Sequence, residues 1–225
     1  MILPEEQGLA AAAAAGKLVQ FPAVPWRLRG EAVLQLQLLA TAQVRPLVPA
    51  ALEVVSVAPG RTLGAVYLAS YQAGSTRQYH ELIVIPALVR RRHRLGGWIS
   101  HIYVDDEISA LAGREIWALP KRLAAFQREY GARGAATVVR QGRQVLCVFE
   151  DSEPVGLGRL PVFAPAYSRR ENKLLWFRGS GSARWGLGSG AVRVPLDSPF
   201  AALGFGRGRR LHLDELDISM HAPRS

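Results

Sequence analysis

The chain has 225 residues, 49% hydrophobic and 20% charged, a composition within the globular range. At this length a single, predominantly β domain can bury a sizeable core without staples, and one cysteine, Cys147, excludes an internal disulfide framework. The formal charge of +10 invites polyanion binding, but only three of the 28 basic residues are lysines, Lys17, Lys121 and Lys173. Chemistry that needs a neutral amine therefore has few candidates, because arginine keeps its proton.

No apolar window of roughly 18 residues is present, so no membrane span is expected. Met1–Gly16 carries an alanine run behind Glu5 and Glu6 rather than the basic start of a secretory leader. The expectation is a short helix or a frayed extension over residues 1–20, and a cytoplasmic protein. Next, Val33–Leu39 alternates apolar residues with glutamine, a strand pattern. Thr41–Leu52 reads as a short helix and Val54–Val57 as extended chain. Gly64–Tyr71 and Tyr79–Val89 are β-branched and aromatic around a turn, which predicts a hairpin. The basic run Arg90–Arg94 forms the tip of a second hairpin that returns as a strand over Trp98–Val104. Asp105 or Asp106 can cap a helix over Asp105–Ala112, with Gly113 ending it.

Beyond Pro120, strands are predicted at Leu123–Tyr130, Ala135–Gln141 and Gln144–Glu150, the last two joined at Gly142 and Arg143. Cys147 falls in the last of these as a small buried hydrophobe. Four further strands are predicted in the final third: Lys173–Phe177, Ala183–Leu187, Ala191–Val194 and Leu211–Met220. The fold class is predominantly β (α+β), a curled or closed sheet with two or three short helices. No repeat or linker divides it, so one domain is expected over 1–225.

Gly113-Arg-Glu-Ile-Trp-Ala-Leu-Pro-Lys-Arg-Leu123 is the most informative stretch. Pro120 fixes the backbone before Lys121 and restricts Leu119 to extended conformations. Ile116, Trp117, Leu119 and Leu123 surround the Lys121–Arg122 pair in sequence. Desolvation disfavours an ammonium, and Arg122 adds a fixed positive charge next door. Both favour a nucleophilic amine.

Four segments then occur in order: Y-H-E at 79–81, W-I-S-H-I-Y-V-D-D-E at 98–107, A-G-R-E at 112–115 and P-K-R-L at 120–123. Together they resemble the acetoacetate decarboxylase family. A weaker likeness runs from Pro25 to the C-terminus and includes L-V-P-A-A-L-E at 47–53. The resemblance implies a cone-like β-barrel in a homo-oligomer and a lyase that needs no metal or diffusible cofactor. It also implies that Lys121 forms a Schiff base with a small-molecule keto acid, with Glu81 in the active site. Arg122 falls where the family has a second lysine, whose charge tunes the first amine.

Two family features are missing. The strand preceding Glu81 should carry a second glutamate, but Gly64-Ala-Val-Tyr-Leu68 has no acid. An N-terminal family arginine that binds the substrate carboxylate is matched by Arg29 only across a one-residue gap. Val66, Leu68, Ile102 and Leu119 are expected to form an apolar wall suited to a bulkier keto substrate. The implied reaction is decarboxylation of a β-keto acid through an iminium and enamine. Aldol condensation with dehydration is the alternative, as is a non-catalytic, small-molecule-binding member of the family.

The remaining residues have plainer readings. The five histidines lack metal-ligand spacing, and His101 reads as a packed, hydrogen-bonded residue. Asp105, Asp106 and Glu107 read as helix-start chemistry, and Arg114 and Glu115 as an ion pair or backbone-binding group at a turn. The late glycines form no phosphate loop. A nucleic-acid role would rest on Arg90–Arg94 and Gly206–Arg210. No recognition motif accompanies them, and both are placed in turns, so no nucleic-acid partner is expected.

Overall fold

The computed structural model describes residues 21–131, 134–151 and 153–224; the extension expected over 1–20 lies outside them. The elements run β1 (Trp26–Ala40), α1 (Thr41–Val44), β2 (Glu53–Val54), β3 (Arg61–Tyr71), β4 (Tyr79–Ile85), β5 (Ala87–Arg91), β6 (Arg94–Trp98) and β7 (His101–Val104). They continue with α2 (Glu107–Trp117), β8 (Lys121–Leu123), β9 (Ala125–Gly131), β10 (Gly134–Gln141), β11 (Gln144–Glu150), β12 (Val155–Arg170), β13 (Lys173–Arg193) and β14 (Arg207–Met220).

The main path orders the strands β2-β5-β6-β12-β13-β14-β1-β3-β4-β7-β8, and β9-β10-β11 attach through β13. The path begins at β2 and ends at β8 without rejoining. The expected β class holds, and the sheet is curled rather than closed into a barrel.

Several local expectations are revised, each for a physical reason. The helix predicted over Thr41–Leu52 is only α1 plus a single 3-10 turn at Arg45–Leu47. Pro46 and Pro49 lack the N–H donors that a longer helix requires. The Arg45 guanidinium instead donates to the carbonyls of Leu52 (2.8 Å) and Pro49 (2.7 Å). The strand predicted at Val33–Leu39 extends through all of β1. Its glutamines hold the loop before β14: Gln37 Nε2 donates to Gly204 O (2.8 Å), and Gln37 Oε1 accepts from Gly206 N (3.0 Å).

Gly113 does not end the helix. The helix runs to Trp117 and stops where Ala118 adopts a left-handed conformation (φ 51°), with Pro120 just beyond. In the final third, three predicted strands fuse into the 21-residue β13, and β12 was not anticipated. Glycine-rich sequence usually breaks a strand. Here Met220 packs over Gly179, and the backbone of Asp217 and Ile218 lies over Gly181, so a side chain there would collide. The cluster Arg207–Arg210 lies within β14 rather than at a turn, and Arg210 is buried.

Strand alternation sorts the core. Val66, Leu82, Val84 and Tyr103 belong to one apolar cluster with Val139, Leu146 and Phe149. Residues of opposite parity on the same strands, among them Ala69, Tyr71, Tyr79, Ile102 and Val104, belong to two clusters on the opposite face. The candidate site lies on that second face.

Candidate active site

β7, α2 and β8 form a compact unit: a strand, a helix that crosses over, and a short parallel strand returning beside the first, with Lys121 opposite Ile102. Asp106 sets the start of the helix. Its carboxylate accepts from Ser109 N (2.7 Å) and from Arg77 Nε (3.1 Å). At the far end Leu119 N donates to Gly113 O (3.0 Å), and Arg114 Nε reaches over to the Lys121 carbonyl (2.7 Å). Arg114 thus binds backbone, one of the two roles expected for it.

The helix face opposite β8 is built from small residues: Ser109, Ala112 and Gly113, all buried. Gly113 is decisive for space. A β-carbon there would lie 2.5 Å from Lys121 Cδ and 2.7 Å from Cε. The lysine stem passes through the room that the missing side chain leaves.

Lys121 Nζ lies 2.7 Å from Glu81 Oε1, and the two side chains are 5% and 6% exposed. The ammonium also donates to Ser109 Oγ (2.9 Å) and sits 5.0 Å from the centre of the Tyr79 ring. Tyr71 OH donates to Glu81 Oε2 (3.1 Å), and Tyr67 and Tyr71 share a hydroxyl hydrogen bond of 3.1 Å. Burial pushes the hydroxyls of Tyr67, Tyr71 and Tyr79 well above the ordinary phenol range, and the Glu81 charge pushes the same way. They stay protonated and act as fixed hydrogen-bonding groups.

This network borders a cavity of ≈ 290 Å³. Its walls are overwhelmingly apolar, with Trp26, Leu28, Ile102, Trp117, Leu119 and Phe177 among them. Phe163, 61% exposed, marks its mouth. Lys121 and Glu81 are its ionic pair. Among the described residues no arginine or histidine lines it.

Lys121, Glu81, Ile102 and Leu119 are therefore gathered at one cavity, while four other candidates lie elsewhere. Val66 points into the opposite core cluster, and Leu68 packs against that cluster too; the same strand gives Ala65, Tyr67 and Tyr71 to the cavity. Arg29 is corrected likewise. Trp26 and Leu28 face the cavity from β1, so Arg27 and Arg29 face away, and both bind Asp217 (2.6 and 2.9 Å). These two arginines hold the Asp217 carboxyl down at about 2. Arg122 is exposed beside Tyr103, one residue out of phase with Lys121; its charge acts on His101 and Tyr103. The expected tuning of the amine by its sequence neighbour has no such geometry.

Ser109 and the three tyrosines were missed as site residues. Tyr79 stood in the quoted Y-H-E segment. Tyr67 and Tyr71 share Glu81's face because Ala69 pairs with Glu81 across the β3–β4 ladder.

His101 bonds Ser100 Oγ (3.0 Å) and packs against Phe200; burial, then the Arg122 charge, lowers its pKa. Burial pushes the Cys147 thiol up to about 12, which suits an inert core residue. Among the described residues no group of three His, Cys, Asp or Glu could hold a metal, and no helix is long and apolar enough to cross a membrane.

The sequence model of the family described as acetoacetate decarboxylase (ADC) matches residues 15–150, more than half of the chain. The chain belongs to the acetoacetate decarboxylase family. Two solved structures share the fold of this family member. One is the acetoacetate decarboxylase of Legionella pneumophila, at 16% identity and a TM-score of 0.61, covering 92% of this chain and 89% of that one. The other is the enduracididine biosynthesis enzyme MppR complexed with pyruvate, at 14% identity and a TM-score of 0.64, covering 93% of each.

Protein NEOXANTHIN-DEFICIENT 1 of Solanum lycopersicum is 32% identical over 108 residues, which is 48% of this chain and 36% of that protein. The chain thus spans little more than a third of this curated relative's length. The acetoacetate decarboxylase family and both solved neighbours include enzymes.

Proposed function

We propose that this protein is a lyase that works through its own lysine, with Lys121 Nζ forming an iminium with a substrate carbonyl. One observation carries the reading: a buried amine at the wall of an apolar cavity lies 2.7 Å from a carboxylate that can take its proton. That distance is within proton-transfer reach.

The steps follow from that contact. A proton passes from Nζ to Glu81, leaving a neutral amine and a neutral acid. The nitrogen lone pair attacks the carbonyl carbon, one N–H proton passes to the oxygen to give a carbinolamine that keeps one N–H, and Glu81 returns the proton it took to the same oxygen. Water departs as the C=N bond forms, leaving the iminium. Tyr71, bonded to Glu81 Oε2, holds the carboxyl in line, and Ser109 holds the nitrogen.

The iminium can accept an electron pair from a bond one carbon removed. A β-carboxylate would leave as carbon dioxide. Alternatively an α-proton would leave, and the enamine would attack an aldehyde, followed by dehydration. In either case hydrolysis of the final iminium returns Lys121.

The test is sodium borohydride reduction in the presence of carbonyl compounds, read by intact mass. A stable adduct is expected on the native protein and absent from Lys121→Arg. No adduct with any ketone, aldehyde or keto acid would refute the amine mechanism.

A further inference from the structure

We infer that the substrate enters this cavity as an uncharged, apolar ketone or aldehyde, without a carboxylate beside its carbonyl. This rests on Lys121 being the reacting amine, and it selects the aldol-type branch of the chemistry over loss of carbon dioxide.

The first support is charge. Lys121 and Glu81 together are neutral in either proton arrangement. A carboxylate one or two bonds from the reacting carbonyl would lie beside them and bring a net negative charge into an apolar cavity. Burying a charge without a partner is strongly unfavourable, and among the described residues no second cation lines the cavity. Arg29, the residue expected to bind a substrate carboxylate, is outside and tied to Asp217. Arg178 stacks on Phe163 at the mouth (5.9 Å) and does not line the cavity.

The second support is the hydrogen-bond inventory. The three indoles and two of the three tyrosines in the wall already have protein partners. Trp26 Nε1 donates to Pro22 O (2.9 Å), Trp117 Nε1 to His221 O (2.8 Å) and Trp185 Nε1 to Leu160 O (3.3 Å). Tyr67 and Tyr71 are joined to each other, and Tyr71 to Glu81. A carboxylate needs several donors, and this wall has none committed to one. A ketone needs only the lysine at its carbonyl carbon and apolar contact elsewhere, which this wall supplies.

The experiment compares undecan-2-one with 2-oxoundecanoate, which have the same chain length and differ by the carboxylate. Binding is read from quenching of tryptophan fluorescence, since Trp26, Trp117 and Trp185 line the cavity; reaction is read from the borohydride-trapped mass adduct. The neutral ketone is expected to bind more tightly, on the order of a hundredfold, and to give the larger adduct. Equal or tighter binding of the keto acid, or an adduct formed mainly with it, would overturn the inference while leaving the lysine mechanism standing. Tight ketone binding with no adduct from either compound would leave the cavity's preference standing and refute the lysine mechanism. Binding of neither would overturn the inference directly.

Discussion

Replacing Gly113 with alanine separates folding from chemistry at this site. The added methyl would meet Lys121 at 2.5 Å (Cδ), 2.7 Å (Cε) and 3.1 Å (Cγ). Ordinary contact begins at 3.4 Å, so Cδ must retreat by 3.4 − 2.5 = 0.9 Å. Gly113 is inside a helix at an ordinary backbone angle, so alanine gains about 1 kcal/mol of helix propensity. Overpacking costs about 1–3 kcal/mol, which leaves a net destabilisation of about 0–2 kcal/mol. The fold survives, but displacement of a reacting group by about 1 Å costs on the order of a hundredfold in rate. The assay is the initial rate of borohydride-trapped adduct, with a thermal melt by circular dichroism on the same sample. A folded Gly113→Ala protein that forms adduct at the native rate would refute the claim that the lysine is seated by this gap.

Glu81→Gln removes one partner of a buried ion pair; urea titration is expected to show a loss of about 3–5 kcal/mol, and adduct formation is expected to slow by about 10²–10⁴. An unchanged midpoint would mean that the pair is not buried as described. Cys147, with its thiol pushed up to about 12 by burial, is expected to resist iodoacetamide in the native protein and react in urea; labelling of the folded protein at the same rate would contradict the core placement.

The His80–Asp105 pair (2.6 Å) gives a pH signature. The hydrogen bond to Asp105 raises the His80 pKa above 6.5, so its contribution is complete below 6.5 and is lost as pH rises through the raised value. Burial works against Asp105, but the bonds from His80 outweigh it and lower its pKa below 3.8, so its share is lost as pH falls through the lowered value. Both side chains are partly exposed, so the pair contributes under about 1 kcal/mol. His80→Ala should therefore destabilise more at pH 5.5 than at pH 9 in matched urea titrations, and equal losses would exclude the pairing.

Lys121 was legible from its own segment, a lysine behind Pro120 among apolar residues, whereas Glu81 was reached only through the resemblance of its Y-H-E segment to the acetoacetate decarboxylase family. The sequence could not settle which face of a neighbouring strand joins them. Gly64-Ala-Val-Tyr-Leu68 is apolar on both faces, so nothing local separates Val66 from Tyr67; the Ala69–Glu81 pairing does, and that is a property of the ladder. Arg29 and Arg122 failed for the same reason, since adjacent residues on a strand point to opposite sides. Gly113 looked like a helix stop because glycine usually serves there, whereas the packing of Lys121 gives it a different use. The glycine-rich stretch that became β13 is legible only once Met220 and Asp217 are known to lie across it.

The edge of β12 has its own consequence. It bonds β6 only through Ala166 and Tyr167, so along Val155–Pro165 its described pairing is on the β13 side alone. Val155, Leu157, Leu160 and Phe163 are exposed there, and a free apolar edge is a template on which other chains can add as strands. Pro161 and Pro165 have no N–H, and their spacing of four turns both to the same side of the strand. An incoming strand finds two interruptions in the row of donors it would need. The edge therefore offers a pairing strand a shorter and broken row of donors, which weakens strand addition there.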